Sequence, residues 1–278
     1  MEISNILKNF RSFKRFADSC LDSLSPEQAN ASWDTGTKYH MIQEHRYYLV
    51  FKEIHKLFPD SPQNVLDLGC FPGDIGVILN RLYEDKLKIY GSGLNFTEDF
   101  LKKIAPYYHQ TLYVELDPEN PLRNNETTNT INLPDKSMDL IIACELFEHL
   151  YNPLHFIKEC ARLLSDHGFI ILTTDNLKYI GNILGLFRNK TVFSELQESH
   201  IFMKHEWRPH ERLYFLHELE ELFQVYDLEI KEHFFFDNRN EKYRKLSFRS
   251  KVNQFICKLF YVFPCFRPRH FCVIQKKK

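Results

Sequence analysis

The chain has 278 residues, 44% hydrophobic and 26% charged, and a net charge of −1, which is ordinary for a globular protein. It has no run of about eighteen apolar residues, which argues against a membrane-spanning helix. Residues 1–16 lack the apolar core of a secretory signal. The seven cysteines include no Cys-x-x-Cys pair, so we expect reduced thiols and a cytoplasmic protein.

Positive charge is concentrated at one end of the chain. Residues 239–278 contain twelve Lys or Arg and one acid, Glu241, among many aromatic side chains. Such a segment can bind an anionic membrane surface or nucleic acid, or it can pack on acidic parts of the same chain. Peripheral membrane association therefore stays open beside a cytoplasmic location.

The predicted elements begin with a helical arm over residues 1–63, which could cover a ligand cleft or serve packing alone. From residue 64 onward, strands and helices alternate. A polar loop at 118–137 and a lid at about 176–212 interrupt this alternation. We predict strands at 64–69, 87–92, 111–116, 138–144, 169–174, 228–236 and 270–275, and helices at 74–84, 97–105, from Asn152 to Gly168, at 216–223 and at 249–262.

This order predicts an α/β domain over residues 64–278. Strands that alternate with helices of this length form a doubly wound, mostly parallel sheet, here of seven strands. In such sheets, ligands bind at the carboxyl ends of the strands.

The first strand leads into a glycine-bearing turn. Residues 64–76 read NVLDLGCFPGDIG, and glycines at 69 and 73 let the backbone turn tightly ahead of a helix. A nicotinamide site would place G-x-G-x-x-G directly after the strand and an acid at the end of the second strand. Here the glycines lie at 69, 73 and 76, and the second strand ends in Ser92-Gly93.

Three later segments of the chain contain further sequence motifs. They are DLIIACELFEHL at 139–150, GFIILTTDN at 168–176 and HERLYFL at 210–216. Together with the turn, they resemble the motifs of class I S-adenosylmethionine (SAM) dependent methyltransferases, including the ubiquinone-pathway type, over about residues 60–236. Three positions depart from that pattern. Phe71 replaces the middle glycine of D-x-G-x-G-x-G, Gly93 replaces the acid that holds the ribose, and Asp175 stands where proline is more usual.

The resemblance implies a SAM cofactor and methyl transfer, by in-line displacement at the sulfonium, to a small-molecule acceptor. That acceptor would be a sugar, a lipid-linked intermediate or a secondary metabolite, with oxygen, nitrogen and carbon all open as the methylated atom. Asp67 would lie near the methionine ammonium or organise the turn, and Asp117 would accept from the adenine amine or simply cap a loop. The other implied cofactor-binding residues are Gly69, Cys70, Phe71, Gly73, Asn95 as a substitute for the ribose acid, Cys144 and Glu145.

His149 and His210 are the candidate catalytic bases. Imidazole titrates near neutral pH, and His149 follows the fourth strand, although either histidine could merely pack or cap.

Glu145, Glu148 and His149 also match an E-x-x-E-H pattern. Small-RNA 2′-O-methyltransferases use this pattern with a later histidine, here His205 or His210, to hold a divalent metal. The same letters occur in metal-free relatives, and we expect no metal. An RNA 2′-O-methyltransferase with a metal is thus one alternative function, and a non-catalytic SAM- or nucleotide-binding module is another.

Overall fold

The computed structural model describes residues 2–21, 39–84, 86–94, 96–117, 128–193, 209–237 and 248–278, without the side chains of 39–42 and 248–250. These residues fall into two compact units, one of residues 2–112 and one of residues 113–237 with 248–278. Several predicted features lie outside the described residues: Asn95, His205, part of the polar loop (118–127), part of the lid (194–208) and residues 238–247.

The first unit contains three strands and five helices among its described residues. The strand order is β3-β2-β1, and β1 pairs with β2 in parallel, from Asn64 opposite Lys88 to Leu68 opposite Ser92. The elements are α1 (Ile3–Leu7), α2 (Phe10–Leu21), α3 (Tyr39–Leu57), β1 (Asn64–Leu68), α4 (Asp74–Tyr83), β2 (Lys88–Gly93), α5 (Glu98–Ile104) and β3 (Gln110–Tyr113).

The N-terminal helices pack against the first helix of the strand–helix alternation. Phe13, Ala17 and Leu21 are spaced four residues apart, so they share one face of α2, and all three are buried. Contacts join α2 to both α3 and α4. The apolar face of α2 therefore contributes to the core of this unit.

The second unit contains four strands in the order β4-β5-β7-β6. β4 and β5 are parallel, whereas β7 is antiparallel to both of its neighbours. The elements are β4 (Met138–Cys144), α6 (Pro153–Leu163), β5 (Leu164–Asp175), α7 (Ile180–Leu186), α8 (Leu216–Gln224), β6 (Leu228–Phe236), α9 (Phe248–Phe260) and β7 (Arg269–Lys276), with 3₁₀ turns at Phe147–His149 and Pro264–Phe266.

These strands confirm the predicted α/β class and its mostly parallel seven-stranded sheet. None of the described helices is both long enough and apolar enough to cross a bilayer.

Two predicted boundaries were wrong, and one helix was not predicted. The third strand ends at Tyr113 rather than residue 116, because Val114 forms an isolated bridge to Thr128. The lid region contains a helix, α7, that the irregular sequence did not predict. The helix predicted to end at Gly168 stops at Leu163, since the next residue is already extended and pairs with β4.

Gly168 allows close backbone packing instead of ending a helix. Leu164 pairs with Met138 and Phe169 pairs with Leu140, so the residues between them on β5 bulge. A Cβ atom at position 168 would lie 2.9 Å from the carbonyl oxygens of both Met138 and Asp139. Backbone atoms cannot move aside as a flexible side chain can, so glycine is needed here.

We therefore expect Gly168→Ala to lower the free energy of unfolding by about 1–3 kcal/mol, as overpacking does. Gly185→Ala is the matched control, because its Cβ would meet only Lys190 Cβ at 3.8 Å inside α7. This control should be neutral or stabilising by up to about 1 kcal/mol. Urea unfolding measures both, and equal effects would contradict the assignment.

Candidate active site

In the first unit, the turn after β1 has the geometry expected at the edge of a ligand site. Gly69 and Gly73 adopt left-handed φ values of 72° and 93°. The N–H groups of Gly69 and Cys70 donate to Ser92 O at 2.8 and 3.0 Å, which fastens the turn to β2. Asp74 then begins α4, where the N–H groups of Asp74 and Ile75 have no acceptor within the helix and can serve a polar ligand.

Tyr108 supports this turn from inside the unit. Its hydroxyl donates to Asp67 Oδ2 at 2.8 Å and accepts from Gly76 N at 3.2 Å. Its ring fills the space that side chains at two glycines would need, since a Cβ at Gly76 or Gly91 would lie 2.1 or 2.8 Å from ring atoms. Of the two roles implied for Asp67, the structure shows the organisation of the turn.

Two buried carboxyl groups lie at this turn. Burial raises the pKa of Asp67 to about 7, although the Tyr108 hydrogen bond opposes the rise. Burial likewise raises the pKa of Asp74 to about 6, against a hydrogen bond from Tyr47 at 3.0 Å. A cation bound nearby would favour the ionised form of both groups.

Aromatic rings lie at or beside positions 71 and 93, where the sequence departs from the family pattern. Phe71 is 42% exposed and its ring lies 5.1 Å from that of Phe100. A Cβ atom at position 93 would lie 2.9 Å from the ring of Phe96, so this ring occupies space that a side chain there would need. An aromatic ring therefore lies beside position 93, where the family pattern has a carboxylate, and the roles of the turn residues toward SAM stay predictions.

In the second unit, Asp117 has a structural role. Its Oδ2 accepts from Tyr151 N at 2.5 Å and its Oδ1 accepts from Asn152 N at 3.1 Å. Asn152 is in turn the N-cap of α6, where its side chain accepts from His155 N. Asp117 is fully buried and fixes the start of α6, and its role toward adenine stays a prediction.

Glu145 is held in a strained backbone conformation directly after Cys144, the last residue of β4. Its φ of 54° is left-handed, which costs on the order of 1 kcal/mol for a residue with a side chain. Three contacts hold it: its N–H donates to Thr173 O at 2.9 Å, its Oε1 accepts from Thr173 Oγ1 at 2.9 Å, and its Oε2 pairs with Arg269 Nε. Such strain is typical of functional positions.

Glu148 lies in the 3₁₀ turn that follows and is fully buried. Its Oε2 accepts from Thr174 Oγ1 at 2.8 Å, and its Oε1 has no hydrogen-bond partner among the described residues. Its backbone carbonyl accepts from the N–H of Glu211 at 2.7 Å, which ties the end of the lid to this turn. A buried oxygen without a partner marks a place for a proton, a water or a ligand.

The two predicted histidines lie together beside this carboxyl group. Their ring centroids are 4.7 Å apart, in an edge-to-face arrangement. His149 Nδ1 lies 3.1 Å from Pro209 O, and His210 Nδ1 lies 3.1 Å from Asp175 Oδ2. Because a carbonyl oxygen only accepts, His149 carries its proton on Nδ1 and, when neutral, a lone pair on Nε2.

The charges of this cluster are strongly coupled. Burial and the nearby Glu145 charge raise the pKa of Glu148 to about 8. Burial alone would lower the pKa of His210, but the Asp175 hydrogen bond and the Glu148 charge raise it to about 9. At neutral pH, His210 is therefore a fixed cation paired with Asp175.

Metal-ligating groups meet in two sets within this cluster. Donor atoms of Glu148, His149 and His210 lie within 4.8 Å of one another, and so do those of Glu145, Glu148 and Asp175. In the second set, Arg269 already pairs with both Glu145 and Asp175 and supplies the positive charge. The first set is thus the one whose mixed N/O donors fit a divalent ion.

Sequence reasoning missed three residues of these sites. Tyr108 was signalled only indirectly, by glycines at 76 and 91 that leave space for a large neighbour. Asp175 stands where proline is more usual in the fifth-strand motif, and that departure could have drawn attention to it. Arg269 lies 124 residues from Glu145, and no local pattern links the two.

Comparison with known proteins identifies the family. The model of the methyltransferase-domain family matches residues 42–233, which is most of the chain. The chain belongs to this family. The predicted family is thereby confirmed, together with its SAM cofactor and its enzyme class.

This methyltransferase-domain protein resembles a curated relative over 49% of its own residues. Ubiquinone biosynthesis O-methyltransferase, mitochondrial, of Rattus norvegicus is 30% identical over 137 residues, which are 49% of this chain and 36% of that protein. The matched part thus covers little more than a third of this curated relative.

Solved structures share the fold at low identity. A SAM-dependent methyltransferase from Mesorhizobium loti has a TM-score of 0.51 at 12% identity and covers 81% of this chain and 97% of its own. A chain from a complex between the Haloferax volcanii Trm112 methyltransferase activator and a methyltransferase has a TM-score of 0.52 at 13% identity, with 96% of each chain covered.

The Tyr108 contacts give a testable prediction about the turn. Tyr108→Phe leaves the buried Asp67 and Gly76 N without the hydroxyl, so we expect a loss of about 1–3 kcal/mol in the free energy of unfolding. The hydroxyl favours the ionised carboxyl most, and its removal raises the pKa of Asp67 further. The loss should therefore be larger at pH 8 than at pH 6.

Tyr107→Phe is the matched control, because its hydroxyl meets only Arg81 at 3.4 Å near the surface. Its effect should stay within about 0.5 kcal/mol. A Tyr108→Phe loss that is no greater than this, or that shrinks at high pH, would refute the role given to Tyr108.

Proposed function

We propose that the protein transfers the methyl group of SAM to a hydroxyl group of a small-molecule acceptor, with His149 as the base. The observation that carries the proposal is the fixed orientation of His149 by Pro209 O, beside the buried Glu148 and the cation of His210. The rat relative is named as an O-methyltransferase of ubiquinone biosynthesis, which supports oxygen as the methylated atom.

SAM, when bound, would supply a methyl group on a sulfonium, whose carbon an acceptor oxygen attacks in line while the thioether of S-adenosylhomocysteine leaves. The first-unit residues that would hold it are the turn from Gly69 to Gly73 and the first N–H groups of α4. Asp67 and Tyr108 would act through the turn, by keeping it rigid. Preorganised backbone donors of this kind hold a ligand without reorganising.

His149 would remove the acceptor proton as the oxygen reacts. Its Nδ1–H donates to Pro209 O, which leaves the basic Nε2 as the site that takes the proton. After transfer, the positive charge would lie on His149. Glu148, which shares the same small region, becomes easier to ionise as that charge develops.

His210 would stabilise the acceptor oxygen rather than act as a base. Asp175 and Glu148 hold its pKa at about 9, so at neutral pH it is protonated and has no lone pair to offer. A fixed imidazolium favours negative charge on a nearby oxygen. The two predicted catalytic histidines thus receive different roles: His149 as base and His210 as fixed cation.

For the acceptor, we propose a hydroxyl-bearing small molecule such as a sugar, a lipid-linked intermediate or a secondary metabolite. The alternative, an RNA 2′-O-methyltransferase with a divalent metal, is supported by the convergence of Glu148, His149 and His210. In that case His210 would take the place of His205 as the later ligand, and Glu145 would stay with Arg269. The other alternative function is that of a non-catalytic module, which binds SAM or a nucleotide without methyl transfer.

The test is methyl transfer from labelled SAM to a panel of phenol, sugar and lipid-linked hydroxyl acceptors and to RNA, with and without a chelator. We expect a small hydroxyl acceptor to be methylated fully in the chelator. His149→Gln should lower kcat by about 10²–10⁴-fold, as loss of a general base does.

His217→Gln is the matched control, since this exposed histidine stacks on Phe215 and is not part of the acid–base cluster. It should keep full activity. Activity that needs Mg²⁺ or Mn²⁺ and falls equally in Glu148→Gln and His149→Gln would overturn the metal-free mechanism. Methylation of RNA alone would overturn the acceptor class, and binding of SAM without any turnover would overturn the reaction.

A further inference from the structure

Exposed apolar side chains of the described residues are concentrated in one part of the second unit. Nine of the fourteen large hydrophobic residues that are exposed lie within residues 186–193 and 252–263. Among them, Phe187 is 84% exposed, Phe255 is 64% exposed and Val262 is 74% exposed. Scattered single exposures are normal in proteins, but a cluster of this kind marks an interaction surface.

The two segments include or directly follow the ends of two helices, α7 and α9, that pack on each other. Cys257 of α9 is buried against Tyr179 and Ile180 at the start of α7, with Ile183 and Tyr261 packed around them. This contact uses one face of α9. Val252, Phe255 and Leu259 follow a three- and four-residue spacing on another face and are exposed.

The two segments and the residues that flank them in the sequence carry positive charge only. Residues 177–193 and 248–268 together contain seven Lys or Arg and no Asp or Glu. Lys251 and Lys258, one turn before and after Phe255, are exposed. Long basic side chains beside exposed aromatic and aliphatic residues are the pattern of a helix that lies in the headgroup region of a bilayer.

The surface is firmly attached to the strand that carries Asp175. The next residue, Asn176, is buried, and its side-chain amide donates to Cys265 O at 2.8 Å and to Arg267 O at 2.7 Å. Its backbone N–H donates to Pro268 O at 2.8 Å. The segment that follows α9 is therefore fixed to the end of β5.

We propose that the surface formed by residues 186–193 and 252–263 binds an anionic lipid bilayer, with Phe187, Phe255 and Leu259 inserted among the headgroups. The lysines at 251 and 258 pair with lipid phosphates. A bilayer accounts for the aliphatic Val and Leu side chains as well as the aromatic ones, whereas single-stranded nucleic acid uses aromatic rings for stacking. The inference is independent of methyl transfer, and its test uses no activity.

The test is co-sedimentation of the full chain with phosphatidylcholine–phosphatidylglycerol vesicles and with pure phosphatidylcholine vesicles. Wild type should bind the anionic vesicles and bind the neutral ones far more weakly. Phe255→Ser with Leu259→Ser should reduce the partition coefficient by at least about tenfold, because two inserted side chains are lost. Lys251→Gln with Lys258→Gln should reduce it by about fivefold for each lysine.

Val225→Ser and Lys103→Gln are the matched controls, an exposed apolar residue and an exposed lysine elsewhere in the chain. Both should bind as wild type does, and circular dichroism should show all variants folded, since every substituted side chain is exposed. Absence of vesicle binding by wild type would overturn the proposal. So would equal binding by all variants, or a surface that instead mediates dimerisation or binds a single-stranded oligonucleotide.

Discussion

A carboxylate that is wholly or partly buried where a strand ends is stabilised by hydrogen-bond donors or positive charge, and this constraint shapes both units. Asp67 near the end of β1 receives the hydroxyl of Tyr108, and Glu145 after β4 receives Thr173 and Arg269. Asp175 at the end of β5 receives His210. An isolated charge removed from water costs several kcal/mol, so each partner stabilises the folded chain and also influences the charge state of the carboxyl group that it contacts.

The same constraint explains why some residues are small and others are strained. Tyr108 can reach Asp67 only because positions 76 and 91 lack side chains. Glu145 stays in a left-handed conformation because its backbone and both carboxylate oxygens are held. In the acid–base cluster, the partners leave one group unsatisfied, Glu148 Oε1. Most polar groups of the cluster are thus fixed by hydrogen bonds or ion pairs before a ligand binds, and Glu148 Oε1 is left to interact with that ligand.

Much of this could be read from the sequence, for physical reasons that differ between elements. β1, β4 and most of β5 are apolar runs of strand length, and their burial makes the pattern plain. Local motifs identified Gly69, Gly73, Glu148, His149 and His210, and the last three do converge.

Other features could not be predicted from local sequence. The true end of α6 was missed because Leu164 suits a helix face as well as a strand, and pairing with Met138 decided the outcome. Tyr108 and Arg269 act across long stretches of chain, which no local period encodes. The part taken by Asp117 at the start of α6 also needed the fold, because an acid before a loop has several uses.

The central claim is that this methyltransferase-domain chain binds SAM despite aromatic residues at positions 71 and 96. Calorimetric titration of SAM and of S-adenosylhomocysteine into the wild-type protein tests it most directly. The account predicts saturable binding of one molecule per chain for both ligands, with dissociation constants on the order of 1 µM to 1 mM. It predicts no comparable heat with a nicotinamide dinucleotide. Absence of SAM binding by the folded protein, or preferential binding of the dinucleotide, would contradict the account.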